Sequence, residues 1–223
     1  LREYEKALKE TDFSKVELVF FAGDMIYKGR WYEFSAVLKI TRKYTDKPIY
    51  ACFGNEEYDD IIPLLTKKYS EVFWINDNYT LIELGSKEKL WVIGSKGVLD
   101  RPTRWQRKNI PNIEEIYRKR TETLRELLVK GKTSGFTTIL LIHYPPTYTT
   151  LVGEPRYAWP EMASFKMEKV LRQTKPDIVI HGHSHNSKKT FTMIGPTRVY
   201  NVSLPATKKI TIIPIKWGLL GFF

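Results

Sequence analysis

The 223-residue sequence predicts an α/β fold, a sheet-based sandwich in which strands alternate with helices before the chain closes as a β meander. Three observations carry that expectation. Four short apolar runs, residues 16–22, 49–53, 138–142 and 178–180, are near-continuous rather than alternating, as in strands buried on both faces. Segments of helical period separate them. Each run also ends at a polar residue able to bind metal: Asp24 after Gly23, Asn55 after Gly54, His143, and the cluster His181-Gly182-His183-Ser184-His185.

In chain order, residues 1–9 place Leu1, Tyr4 and Leu8 on one helical face, and residues 16–22 form the first strand. Gly23 permits close backbone approach at its end, where the Asp24 carboxylate can bridge two cations or, more simply, cap a helix. Trp31, Phe34, Val37 and Leu38 fit a helix crossing back over the sheet, and Asp46 and Pro48 turn the chain into the second strand. There the Asn55 oxygen can coordinate metal while its amide orients a phosphate. Asp60 reads as the N-cap of a short helix through Ile61, Ile62, Leu65 and Tyr69, with Pro63 in its first turn. Residues 81–83 and 90–93 are two further short strands.

Residues 96–108 carry five cations and a tryptophan and read as a loop. Guanidinium groups bind phosphate in bidentate fashion and indoles stack on bases, so Arg101, Arg104, Trp105 and Arg107 are candidate substrate-binding residues; a solvated surface loop is the plain alternative. Asn112 with Glu115 reads as a capping box opening a helix along Ile113, Ile116, Leu124, Leu127 and Leu128, with Gly131 as its stop. The aromatic stretch 144–160 either walls a substrate cleft or packs against a neighbouring loop. A helix through Met167, Val170 and Leu171 precedes the strand at 178–180. Residues 190–194, 198–202 and 210–215 read as an antiparallel meander with turns at Gly195-Pro196 and Leu204-Pro205. The apolar residues 217–223 either cover a core edge or make a subunit contact.

Composition narrows the partners. The candidate ligands span most of the chain, which reads as a single domain over 1–223. The formal charge of +11 favours anionic partners, whether a phosphorylated small molecule, a nucleotide, nucleic acid or an acidic surface. Cys52, the only cysteine, reads as a core residue and excludes an intrachain disulfide. No apolar run reaches the ~18 residues of a membrane span and no signal peptide is visible, which points to the cytoplasm and away from membranes. Oligomeric state has no signature.

Gly23-Asp24, Gly54-Asn55-Glu56-Glu57, His143 and Gly182-His183-Ser184-His185 together resemble, in order, the G-D, G-N-H-[DE], H and G-H-x-H motifs of calcineurin-like metallophosphoesterases. The resemblance spans residues 22–185 and implies a four-layer α/β/β/α sandwich of two mixed sheets flanked by helices. It implies a metal-dependent phosphoesterase, foremost of phosphodiesters, acting through a metal-bridging hydroxide on two divalent ions, with manganese ahead of iron, zinc, nickel and cobalt. One ion would take Asp24, Asn55, His143 and His183, and the other Asp24 and His185, with Asn55 and Glu56 in catalytic roles. His181 falls outside the match and reads as a histidine satisfied near the strand end, or as a partner of a ligand.

Two departures shape the expectation. The family's opening D-x-H has no counterpart, so about a dozen residues, one strand and its loop, are expected ahead of Leu1. Glu56 stands where the family places the histidine that protonates the leaving group. It could replace that acid only if burial or Glu57 raised its pKa, which implies a preference for good leaving groups such as aryl phosphodiesters or phosphoanhydrides. The alternative readings are a nuclease using residues 96–108 and a non-catalytic metal-binding or scaffold relative.

Overall fold

The apolar runs become strands in two sheets in the computed structural model, which describes residues 1–216. In the smaller sheet β1 (Val19–Ala22), β2 (Ile49–Cys52) and β3 (Val72–Trp74) lie parallel in that order, with Val19 opposite Ile49 and Ile49 opposite Val72. The larger sheet contains β4 (Asn78–Glu83), β5 (Lys89–Ser95), β6 (Thr137–Ile142), β7 (Ile178–His181), β8 (Phe191–Ile194) and β9 (Thr197–Asn201). Its order is β4-β5-β6-β7-β9-β8, parallel from β5 to β9 and antiparallel at both edges. Only this sheet is mixed; the three-stranded one is parallel throughout.

Period-two side-chain alternation builds the layers. Ile139, Leu141, Ile178 and Ile180 project between the sheets, where they meet Ala22, Cys52, Phe20 and Tyr50. The intervening residues Phe21, Ile49 and Ala51 face away from that interior, beneath α1 (Arg2–Lys9), α2 (Phe34–Arg42) and α3 (Ile62–Lys68), which contribute Tyr4, Phe34, Leu38 and Leu65. After the short α4 (Arg104–Asn109), the long α5 (Ile113–Ser134) and α6 (Phe165–Thr174) cover the other outer face, where Leu124, Leu128, Met167 and Leu171 pack on Leu140, Ile142 and Val179. The result is two sheets face to face with helices outside both. Cys52 is buried in the interior, and burial pushes its thiol well up, as suits a packing residue.

Local details depart from the sequence reading. Ile61, not Asp60, occupies the N-cap of α3 and makes no side-chain cap bond, although Pro63 does fall in the first turn. Residues 96–108 are partly helical, because Thr103 and Gln106 form a reciprocal capping box that opens α4. The box expected at Asn112 does not form: Asn112 adopts left-handed backbone (φ 55°), and Glu115 pairs with Arg118 instead. Gly131 does not stop α5, which runs to Ser134 and ends at Gly135; a Cβ at Gly131 would lie 2.7 Å from Trp91 Cδ1, so the glycine serves close helix–sheet contact.

The Gly195-Pro196 turn joins β8 to β9 as expected, but no third meander strand follows among the described residues. Leu204 opens the one-turn α7 (Leu204–Thr207), and residues 210–215 run without strand partners. Arg198 instead donates to the Pro214 and Ile215 carbonyls at 2.7 Å each, satisfying with a guanidinium what a ladder would have satisfied. The apolar stretch 217–223 lies outside the described residues. Among the described residues no helix is long and apolar enough to cross a membrane.

Candidate metal centre

Parallel strands bring their carboxyl ends together, and the ends of β1, β2, β6 and β7 carry the residues singled out by sequence. Asp24 (φ 54°) and His183 (φ 67°) both hold left-handed backbone, which Asp and His tolerate better than most residues. Gly54 is obligatory for contact: a Cβ there would lie 2.2 Å from Asp24 Oδ1 and 2.8 Å from His143 Nδ1. The turns after β1 and β2 therefore meet with no side chain between them.

His143 is fully buried, and its Nδ1 donates to the Ala22 carbonyl at 2.8 Å, bridging the two sheets. Because a carbonyl only accepts, that bond assigns the proton to Nδ1 and turns Nε2 into the site. Nε2 lies 3.0 Å from Asn55 Oδ1, 3.1 Å from His183 Nδ1 and 3.3 Å from Asp24 Oδ2. Four lone-pair atoms thus converge where the neighbouring protein offers at most one proton to share. The ligand atoms of Asp24, His143 and His183 fall within 4.8 Å of one another, a donor set that fits a divalent cation.

The electrostatics agree. Burial alone would raise the Asp24 carboxyl, but the charge and hydrogen bond of His143, the Glu56 N–H and His183 outweigh it and lower the pKa to about 2. Burial opposes charge on His143, yet Asp24 and the Ala22 carbonyl outweigh it and raise the imidazole; a metal ion would supply the same positive charge. His183 is lowered to about 3, first by burial and then by His143, and so stays in the neutral form a ligand requires.

His185 is solvent-exposed and stands outside this close group. It lines the same cleft, of about 1090 Å³, as Asp24, Asn55, Glu56 and His183. The edge of β1 that faces away from β2 also opens on this cleft. The first ligand set is therefore assembled, while a second ion would find Asp24 and His185 among the described residues.

Two carboxylates that organise the site had no role assigned from sequence. Glu57, 1% exposed, accepts the backbone N–H groups of Asp24 (2.8 Å), Gly54 (2.7 Å) and Met25 (2.7 Å), tying the two ligand turns together. Burial and then the Asp24 charge push its carboxyl up, and the Gly54 and Asp24 N–H groups pull it back. The acidic position of the G-N-H-[DE] motif was its signal. Glu154 accepts from Ser184 Oγ (3.3 Å), Asn186 N–H (2.7 Å) and Asn186 Nδ2 (3.0 Å), and so holds the histidine-bearing turn. Nothing local marked it.

The remaining candidates divide. Glu56 donates its N–H to Asp24 Oδ1 (2.8 Å), while its carboxylate accepts from Lys28 N–H (2.6 Å) and Asn55 Nδ2 (3.1 Å). His181 donates to Gly182 O and accepts from the Thr150 hydroxyl, each at 2.9 Å, so it is a satisfied histidine at the strand end. Arg101 is tied to Glu161 (3.0 Å) and Arg107 to the Pro102 carbonyl, whereas Arg104 and Trp105 are exposed. The 144–160 stretch packs on the neighbouring segment: Tyr148 donates to Asp100 (2.6 Å) and Arg101 N–H to Pro160 O (2.8 Å).

Fold and site together define a metal-binding α/β sandwich whose ligands come from strand ends in both sheets. The chain belongs to the calcineurin-like phosphoesterase family, whose model matches residues 1–187. The family implies a dinuclear divalent metal site and metal-dependent phosphoester hydrolysis. No curated protein matches the chain in sequence. Among solved structures, TT1561 of Thermus thermophilus is similar over 96% of this chain and 93% of its own, with a TM-score of 0.56 and 13% identity. The phosphopantetheinyl hydrolase of Mycobacterium tuberculosis is similar over 83% of this chain and 78% of its own (TM-score 0.54, 15% identity). A putative 5'-nucleotidase of Staphylococcus aureus is similar over 91% of this chain, which spans 43% of that protein (TM-score 0.56, 14% identity). At these identities the likenesses establish the fold.

Proposed function

We propose that this protein hydrolyses phosphodiesters at the centre formed by Asp24, Asn55, His143 and His183, with His185 serving a second ion and manganese the preferred metal. The observation that carries this reading is the convergence of three neighbouring lone-pair atoms on His143 Nε2 at 3.0–3.3 Å. When bound, divalent ions supply the charge that polarises a phosphoryl group and acidifies water.

The chain's own residues do the positioning. Asn55 directs its oxygen at the cluster, and the bond from its amide to Glu56 fixes which way the group is turned. Both Glu56 oxygens already accept protons from the chain, so Glu56 orients Asn55 and the Lys28 turn rather than protonating a leaving group. The site then suits leaving groups that depart as stable anions, such as aryl phosphodiesters and phosphoanhydrides. The single buried thiol fits a cytoplasmic setting.

The test is metal content per chain measured alongside hydrolysis of bis-aryl phosphate with added manganese. Asp24→Asn and His143→Ala are expected to lose bound metal and activity together, and Glu56→Gln to keep activity on the aryl ester. A wild-type chain that binds manganese without any hydrolysis would overturn the catalytic reading in favour of a binding protein.

A further inference from the structure

Beside the metal cluster the protein displays an aromatic ledge that the positioning chemistry above does not use. Trp105 on α4 is 52% exposed, although α4 itself is firmly held by its capping box and by the Gln106 amide donating to the buried Tyr144 hydroxyl (3.0 Å). The indole stacks on Tyr58, with centroids 5.6 Å apart and planes within 24°. Tyr58 in turn packs against Gly29, where an added Cβ would lie 3.0 Å from its ring. Tyr58 directly follows Glu57 and is three residues from Asn55, a backbone span of at most about 11 Å. The ledge therefore grows out of the same turn that supplies a metal ligand.

Cations surround it. Arg104 and Lys108, one helical turn apart on either side of Trp105, are exposed and form no ion pair among the described residues. Across the Gly29 contact, Lys28 and Arg30 lie 5.0 and 5.4 Å from the centre of the Tyr27 ring, which lines the metal cleft. The nearest acidic side chain of the Tyr58 turn, Asp59, is paired with Lys96 at 2.8 Å. The chain carries +11 overall. A rigid, half-exposed indole flanked by unpaired cations matches a ligand with an unstacked base on an anionic backbone. A duplex would hide those bases.

We propose that Trp105, backed by Tyr58 and flanked by Arg104 and Lys108, is the base-stacking subsite of this cleft, and that the phosphodiesters it takes are those of single-stranded nucleic acid. This deepens the phosphodiesterase reading and rests on it, but binding can be measured without turnover. The probe is a fluorescein-labelled dT oligomer of about ten nucleotides, a length within the footprint of single-strand binding folds, titrated by anisotropy into the full chain with chelator present.

Trp105→Ala is expected to weaken binding about tenfold, as expected for loss of one stacked base. Trp105→Phe should retain most of the affinity, which separates stacking from folding. An abasic oligomer of equal length should bind the wild type as weakly as dT binds the alanine variant. Arg104→Ala with Lys108→Ala should lower the slope of log affinity against log salt by about one unit. Equal binding of dT and abasic oligomers by the wild type, or no loss on Trp105→Ala, would overturn the subsite. Failure of wild-type hydrolysis of bis-aryl phosphate overturns the phosphodiesterase reading instead, so the two failures are distinct.

Discussion

Glu57 offers the sharpest test of how the site is held. Its Oε2 accepts the N–H groups of both Asp24 and Gly54, and its Oε1 accepts that of Met25. Glu57→Gln preserves the shape but has one acceptor oxygen. With that oxygen kept on the Asp24 and Gly54 donors, the new amide N–H faces the Met25 N–H, and the remaining two bonds lose their charge. One charge-assisted bond lost and one donor left unsatisfied inside the protein give an expected destabilisation of about 2–4 kcal/mol. Because the displaced donors belong to the turns carrying Asp24 and Asn55, manganese affinity should also fall about 10- to 100-fold. Urea unfolding followed by tryptophan fluorescence reads the first effect, through a lower midpoint at unchanged slope, and calorimetric titration of manganese reads the second. A Glu57→Gln protein with wild-type midpoint and wild-type metal affinity would refute the idea that this carboxylate clamps the two turns.

Three further outcomes follow from the same geometry. Gly54→Ala places a methyl group 2.2 Å from Asp24 Oδ1, so metal binding should be lost and stability should fall by about 1–3 kcal/mol or more, read by the same two assays. Glu154→Ala strands the Asn186 N–H and frees the turn that carries His183 and His185, and should lower manganese affinity about 10-fold or more while the unfolding midpoint drops only modestly. Burial lowers His181 to about 4 from its ordinary value near 6.5, so between those values the unfolded chain binds a proton the folded chain does not. Stability attributable to His181 is thus full above about pH 6.5 and declines as pH falls towards 4, by about 3 kcal/mol at the acid end. Urea midpoints across that range should fall more steeply for wild type than for His181→Gln, and parallel curves would show that the histidine is not the source.

What the sequence by itself determined was the strand set of the core and the identity of the ligands. Near-continuous apolar runs can only be strands buried on both faces, and a polar residue just beyond such a run must lie at a strand end, so Asp24, Asn55, His143 and His183 were legible before any coordinates. Helices with a clear apolar period, such as that through Met167, Val170 and Leu171, were legible for the same reason. Ends and caps were not, because they are settled by competition between neighbours: Thr103 wins a capping box that Asn112 forgoes, and α5 passes Gly131 because a glycine there lets the helix lie against Trp91.

Only the tertiary structure decided how the site is wired. Glu57 reaches Asp24 across 33 positions and Glu154 reaches Asn186 across 32, distances over which no local pattern survives. The same holds for the cations. Arg101 and Arg107 look equivalent to Arg104 in sequence, yet they are engaged by Glu161 and Pro102 while Arg104 stays beside the open face of Trp105. Apolar periodicity is written along the chain because water acts on every residue alike. Hydrogen-bond partners are chosen only when folding has brought distant donors and acceptors within about 3 Å.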